Sequence, residues 1–371
     1  MRVAVTGANG FLGWHLQCAL LAGGKHVAVP VSRPELADAA SLRQRLQDCD
    51  AVVHLAGVNR GSDEDVEAGN RYLAVTLAEA LEDTPIRIVV HGNSIHAGTA
   101  TPFGRSKAFA TDTLAQGAAK VGAVFADLML PNVFGEGGRP FYNSVVATFA
   151  HELAAGRQPT VKDDRELPLL HAQDAADQLL DVLLTGQEGV IRPTGIPTLV
   201  SDVLTQLEGM TSYRDAGDFP NLSTRFRVAL FNTYQSFCFP GAFPIDKVMH
   251  SDARGTLFES ARAQSTDSLS FVSTTVPGAV RGQHFHRRKV ERFIVVDGEA
   301  EIRLRRLITG EEIAFAVSGS RPQAVDMPPM WAHSLKNTGS RPVTTVFWTN
   351  ELLDPQSPDT YPFPVYPSAQ D

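Results

Sequence analysis

Cysteine is scarce in this sequence, as are long apolar runs, basic charge and repetition, and each scarcity removes a class of protein. The three cysteines, Cys18, Cys49 and Cys238, are scattered, with no CxxC pair among them. That pattern excludes a disulfide framework and a cysteine-based zinc site, and it suits a reducing compartment. No stretch approaches the roughly 18–20 apolar residues that a membrane span requires. Met1-Arg2-Val3-Ala4-Val5 enters a strand pattern without a charged and then apolar leader, so the expectation is a cytoplasmic chain with no membrane partner. A net charge of −8 provides no basic footprint for nucleic acid. Low-complexity tracts are missing as well, and a small molecule is the expected partner.

What is present is length and rhythm. The 371 residues exceed one ordinary core and fit two domains. Over the first half, short apolar runs alternate with helical stretches, the pattern of a parallel sheet built from βαβ units. Val3–Val5, His26–Val31, Ala51–Leu55, Ile86–His91 and Val121–Leu130 read as strands. Phe11–Leu21, Arg105–Val121 and Tyr142–Ala155 read as helices. The character changes at Phe239-Pro240-Gly241-Ala242-Phe243-Pro244. Beyond it, β-rich runs at Leu269–Thr275, Arg292–Val296, Glu301–Leu307 and Thr344–Trp348 are separated by Gly, Pro and Asp. The expected fold class is therefore an α/β Rossmann-like domain over residues 1–242, followed by an all-β barrel or sandwich over 243–371.

Thr6-Gly7-Ala8-Asn9-Gly10-Phe11-Leu12-Gly13 follows the first strand and opens a helix. Gly7, Gly10 and Gly13 have the GxxGxxG spacing of short-chain dehydrogenases/reductases (SDR). It meets three needs: a tight turn, close approach of backbone to pyrophosphate, and close helix–strand packing. A tight βα turn alone would also use glycines, but the strand–turn–helix context is the one a dinucleotide requires. Arg33, at the end of the second strand, stands where an acidic residue would select NAD and an arginine would accept the 2′-phosphate of NADP. A solvated surface arginine reads the same way. Leu55-Ala56-Gly57 after the third strand resembles the loop under the adenine and ribose in extended SDR enzymes. Asn132, in Pro131-Asn132-Val133-Phe134-Gly135, resembles that family's substrate-side turn.

The catalytic motif departs from the family. SDR reductases place a Tyr-x-x-x-Lys pair on one helix face beside a serine or threonine, the tyrosine hydroxyl moving the proton. The matching segment is Pro102-Phe103-Gly104-Arg105-Ser106-Lys107: the lysine is present, but Phe103 stands at the tyrosine position. Ser94 is the nearest upstream hydroxyl candidate in the loop after the fourth strand. Three readings stand open. Phe103 is a substitution introduced to block turnover; or the domain has lost redox activity and only binds; or Ser94, His96 or a bound water supplies the proton.

In the second half, His284-Phe285-His286, Glu291 and Gly298 match the first cupin motif. Pro328–Asn337 matches the second around His333, with Met330 where glycine is usual. Side chains at i and i+2 of a strand face the same way. His284, His286, Glu291 and His333 therefore form a candidate three-His, one-carboxylate site for zinc or another divalent metal. The remaining alternative is a metal-free sugar-epimerase cupin whose histidines act directly. Asp252-Ala253-Arg254-Gly255 resembles the segment of dTDP-sugar 3,5-epimerase-type cupins in which the arginine contacts the diphosphate; it is equally good turn chemistry.

An SDR followed by a cupin resembles the bifunctional capsule-precursor enzymes of the CapF type, UDP-2-acetamido-2,6-dideoxy-hexulose reductases. The shared segments run from the glycine loop through His54–Arg60, Pro131–Gly135 and Tyr142–Phe149 to Trp348–Glu351 and Pro358–Tyr361. The resemblance implies a metal cupin that epimerises a 4-keto UDP-sugar and an SDR domain that reduces its C4 ketone with NADPH. It also implies substrate contacts from Asn132, Arg139, Tyr142, Arg254 and Arg281, and a homo-oligomer held through the cupin. Phe103, Met129 (near where arginine is common) and Met330 are the departures.

Overall fold

Val3, Ala4 and Val5 are fully buried and face alternately: the two valines join one apolar layer and Ala4 the other. The same alternation in Ala51-Val52-Val53 and Val89-Val90 means that the strands are covered on both faces. That is the condition under which a parallel sheet forms. The structure, a computed structural model, describes residues 1–264 and 267–366.

The chain packs as two compact units. The first comprises Met1–Phe134 and Glu166–Thr198; the second comprises Gly135–Arg165 and the chain from Leu199 onward. In chain order the elements up to residue 199 are β1 (Arg2–Thr6), α1 (Phe11–Gly23), β2 (Val27–Val31), α2 (Ala39–Leu46), β3 (Ala51–His54), α3 (Asp63–Ala80), β4 (Ile88–Ser94), α4 (Pro102–Lys120), β5 (Val124–Leu130), β6 (Asn132–Phe134), α5 (Val145–Ala154), β7 (Glu166–His171), α6 (Ala172–Thr185), β8 (Gly189–Ile191) and β9 (Ile196–Leu199). The main sheet has the order β2-β1-β3-β4-β5-β8, parallel throughout. Its order reverses at β1, so the crevice beyond the carboxyl ends of β1 and β3 is where such sheets take ligands. Helix α4 begins three residues earlier than periodicity suggests, because Thr101 caps it through Gly104 N and Pro102 occupies its first turn. Phe103 and Lys107 thereby share one helix.

The second unit continues with α7 (Val200–Ala216), α8 (Arg225–Cys238), β10 (Ile245–Asp246), β11 (His250–Asp252), β12 (Gly255–Leu257), β13 (Leu269–Thr275), β14 (Val280–Phe285), β15 (Glu291–Asp297), β16 (Glu299–Arg306), β17 (Glu312–Ser318), β18 (Gln323–Met327), β19 (Trp331–Asn337), β20 (Val343–Thr349) and β21 (Tyr361–Pro362). Two five-stranded sheets, β10-β18-β15-β20-β13 and β17-β16-β19-β14-β21, face each other over a core of Phe293, Ile302, Leu304, Val325, Leu335 and Phe347. This is the cupin-like double-stranded β-helix. Among the described residues no helix is long and apolar enough to cross a membrane.

The boundary expected near residue 242 falls inside this second unit, because the preceding helices pack against the strands. Arg292, almost fully buried, forms a two-pronged pair with Asp326 at 2.6 and 2.9 Å and donates to Gly217 O at the end of α7. Its guanidinium lies 4.2 Å from the Phe219 ring centre, and Phe219 stacks on Trp348 at 3.9 Å. Asn232 of α8 donates to Arg288 O. Sequence periodicity reads helix and strand separately and carries no signal for this docking. Arg292→Ala should cost about 3–5 kcal/mol, because it leaves the Asp326 carboxylate buried and unpaired. Urea unfolding of the single variant against Arg292→Met/Asp326→Leu checks this, the double variant recovering most of the loss.

Candidate functional site

In the first unit the glycine loop is held by close backbone approaches. A Cβ on Gly7, which has φ +68°, would stand 2.8 Å from Ala56 N; one on Gly13 would overlap Gly7 O and come within 2.8 Å of the Ala8 Cα. Gly10 precedes α1 without a side-chain cap, so the amides of Phe11, Leu12 and Gly13 open the helix toward an anion. Gln17 donates to Ala8 O at 2.7 Å and ties the loop to the helix, while Asn9 next to it is exposed. Thr6 Oγ1 accepts from both Leu55 N and Ala56 N, which seats the loop after β3 beside the glycines. Asn70, unremarked in the sequence, exchanges hydrogen bonds with Val58 N and O and donates to Ser106 Oγ, so one amide fixes the loop beyond Gly57 and the helix of Lys107 together. Arg33 is exposed at the end of β2. Close by in sequence, Glu35 accepts from Ser32 N at 2.6 Å, so a carboxylate also flanks the end of that strand.

Phe103 is half-buried in the first turn of α4, and its carbonyl accepts from Ser106 Oγ. Ser94 ends β4 and accepts from His96 N. Lys107 is buried and donates to Gly92 O at 3.0 Å; its Nζ is also 3.0 Å from His91 Nε2. His91 Nδ1 stands 2.9 Å from Asp127 Oδ1, and Asp127 Oδ2 accepts from Asn93 and Thr111. Burial brings Lys107 down to about 8, Asp127 pulling the other way. Burial, with the Lys107 charge beside it, brings His91 down to about 4 against the pull of Asp127. Neither His91 nor Asp127 was singled out in the sequence. The available signal was a carboxylate midway along an otherwise apolar strand, a placement that demands a partner. Asn132 lies on β6 of this unit and Met129 is buried on β5.

In the second unit His284, His286, Glu291 and His333 come together, their ligand atoms all within 4.8 Å of one another. Glu291 Oε2 stands 3.0 Å from His286 Nε2, 3.5 Å from His333 Nε2 and 4.0 Å from His284 Nε2. Burial works to raise the Glu291 carboxyl, but the three imidazoles facing it hold it well below the usual carboxylate range. Burial brings His333 down to about 4, so it presents a lone pair at neutral pH. The Nε2 atoms of His286 and His333 are buried without a hydrogen-bond partner. Inward imidazole nitrogens with no other partner, gathered around a carboxylate, are the donor set a divalent cation takes. His286 Nδ1 meets Asp359 O at 2.6 Å and His333 Nδ1 meets Trp331 O at 3.2 Å, an arrangement that turns both Nε2 atoms inward. The Asp359 carboxylate accepts from Arg287 N, Arg288 N and Lys289 N, so the C-terminal segment braces the loop behind His286. Met330 adopts φ +60°, a left-handed conformation, which explains the usual glycine there.

Arg254 stands on the β11–β12 turn, where it donates to Asp252 and is 90% exposed; the segment has the geometry of the turn reading. Arg281 on β14 donates to Thr274 O. Arg139 lies 5.2 Å from the Tyr142 ring centre, before α5 in the second unit. Asp359→Ala should weaken divalent cation binding about 10–100-fold, whereas His286→Ala removes a ligand and should lose most of the metal. Titration against a competing chelator, with elemental analysis, checks both.

Residues 3–192 match the NAD dependent epimerase/dehydratase family and residues 250–361 the polysaccharide biosynthesis C-terminal domain. The chain is 33% identical over 369 residues to the UDP-2-acetamido-2,6-beta-L-arabino-hexul-4-ose reductase of Pseudomonas aeruginosa (strain PA103), covering 97% of this chain and 98% of that protein. Among solved structures it is similar to the capsular polysaccharide assembling protein CapF of Staphylococcus aureus, 29% identical, with a TM-score of 0.59 and 98% and 100% of the two chains covered. The UDP-N-acetylglucosamine 4-epimerase of Bacillus cereus, 20% identical, TM-score 0.52 over 57% of this chain and 82% of that one, shares the fold.

Proposed function

The chain belongs to the NAD dependent epimerase/dehydratase family, and we propose that it carries out two steps on a 4-keto UDP-sugar: epimerisation beside the ketone in the barrel and NADPH-dependent reduction of the C4 ketone in the α/β unit. The observation that carries this reading is the joint presence of two chemically distinct sites on one chain. A glycine-cradled helix N-terminus lies in the same unit as Lys107, and the barrel holds a three-His, one-carboxylate cluster. A relative that spans both halves is named for the reductase step.

In the α/β unit, the N-terminus of α1 and the Leu55–Gly57 loop would hold the dinucleotide, and Lys107 would meet its ribose and the sugar ketone. The bound cofactor supplies the hydride. In the barrel, His284, His286, Glu291 and His333 would hold zinc or a related divalent cation. Such an ion supplies Lewis-acid polarisation of a ketone oxygen and so acidifies the neighbouring C–H. Asn132, Arg139, Tyr142, Arg254 and Arg281 are the proposed sugar-nucleotide contacts, and Arg33 the proposed partner of the 2′-phosphate. The exposed Phe271, Val272 and Val276 on and beside β13, which ends its sheet, support self-association through the barrel.

A second reading is favoured by Phe103, which has no proton to give: the barrel is the catalyst and the α/β unit a redox-silent scaffold. The two readings separate in one experiment. With a 4-keto UDP-sugar in deuterated water, both predict deuterium entering the sugar, and this stops in His333→Ala. Only the first predicts NADPH oxidation, and Phe103→Tyr, one oxygen added to a ring already accommodated, should raise its rate about tenfold or more. If neither protein oxidises NADPH while both bind it, the second reading stands. Calorimetry should show NADP(H) bound more tightly than NAD(H), with Arg33→Ala erasing the preference; equal affinities in the unaltered protein would instead assign the end of β2 to Glu35.

A further inference from the structure

Lys107 does not stand alone beneath Phe103. A lysine ammonium has three N–H donors. Two are taken, by His91 Nε2 and by Gly92 O, each at 3.0 Å. Asp127 sits 2.9 Å from the other ring nitrogen of His91 and, as an ionised carboxylate, draws the imidazole proton to Nδ1, which leaves Nε2 as an acceptor for Lys107. Asp127 is itself fixed by Asn93 and Thr111. All of Lys107, His91, Asp127 and Asn93 are buried. The elements packed against α4 are α3, β4 and β5. On the inner side they contribute His91 and Asp127, and His54 of β3 lies behind His91 with ring centres 5.7 Å apart, tied through Nδ1 to Thr6 Oγ1. On the outer side Glu67 of α3 pairs with Arg71 and Arg105.

We propose that His91 and Asp127 are positioning residues that hold Lys107 with one N–H in reserve, and that this N–H, in place of the hydroxyl missing at position 103, protonates the reduced sugar oxygen. This rests on the reductase reading above. The balance is simple. Hydride transfer to the ketone carbon from the reduced nicotinamide dinucleotide sends the C=O π pair onto oxygen. The oxygen takes H⁺ from Lys107 Nζ, and the dinucleotide is left oxidised by two electrons. The neutral amine keeps its two N–H bonds to His91 and Gly92 and regains a proton from water. Burial has already brought Lys107 down to about 8, closer to the ambient pH that suits an acid of this kind than an exposed lysine. A purely structural buried triad would be replaced at little cost by apolar side chains; this one ends on the helix face that carries the catalytic motif.

The test is a titration of the protein carrying ¹³C-labelled lysine side chains, followed by NMR, with Lys107→Arg identifying the signal. The expected result is one lysine titrating near 8 in the unaltered protein. In Asp127→Asn it should move down by about one unit or more, because the carboxylate favours the charged form. His91→Gln, whose carbonyl can take the lysine N–H, should stay closer to the unaltered protein than His91→Phe. The pH at which NADPH affinity changes should follow the same order, as should the falling limb of the reduction rate. A Lys107 signal titrating above about 10 in the unaltered protein, which needs no variant to fold, overturns the proposal. So does a signal unmoved in folded Asp127→Asn. A titration as expected, with no sugar reduced by any variant, would instead sink the reductase reading and leave the positioning of Lys107 standing.

Discussion

Taking a lysine ammonium out of water is a costly local demand in the α/β unit, and the buried polar groups around Lys107 answer it. Lys107 reaches past its own helix to His91 and to a backbone carbonyl of β4, and His91 leans on a carboxylate from β5. Without these partners the charge would be lost or the strands would part. The arrangement has a direction in pH. Because burial depresses Lys107 to about 8 from the 10.5 of an exposed lysine, the cost of burying it is fully present below 8 and is relieved as pH rises toward 10.5.

The barrel resolves the complementary problem. There the buried charge is a carboxylate, Glu291, and two of the imidazoles around it, those of His286 and His333, have inward nitrogens with no other partner. Their outward nitrogens are held by backbone carbonyls, one of them contributed by Asp359 from far along the chain. An imidazole fixed at one nitrogen presents the other without a choice of tautomer, so the C-terminal segment sets the chemistry of a cluster to which it supplies no ligand.

Backbone proximity sets the remaining limits. Gly7 and Gly13 are required because neighbouring main chain occupies the space of a Cβ, whereas Met330 keeps a side chain in a left-handed conformation at a cost of order 1 kcal/mol or more. Its amide donates to His286 O at 2.7 Å and its own carbonyl accepts from Leu307 N, so two hydrogen bonds and complete burial of the thioether offset the strain.

The sequence by itself determined the two fold classes, the glycine loop and the four-residue cluster, because each rests on local periodicity or short spacing. Strand alternation, helix capping and i, i+2 geometry act over a few residues and leave their mark in the order of the letters. Only the tertiary structure decided what each buried polar group meets. His91 and Asp127 are 36 residues apart on neighbouring strands, and His286 and Asp359 are separated by 73. Nothing in local sequence distinguishes the histidine that faces a lysine from one that faces solvent. The grouping of α5, α7 and α8 with the barrel has the same origin, since Arg292, Phe219 and Trp348 are far apart in the chain and meet only in the folded unit. Desolvation acts on whatever the folded chain brings together, and so it is read from the fold and not from the sequence.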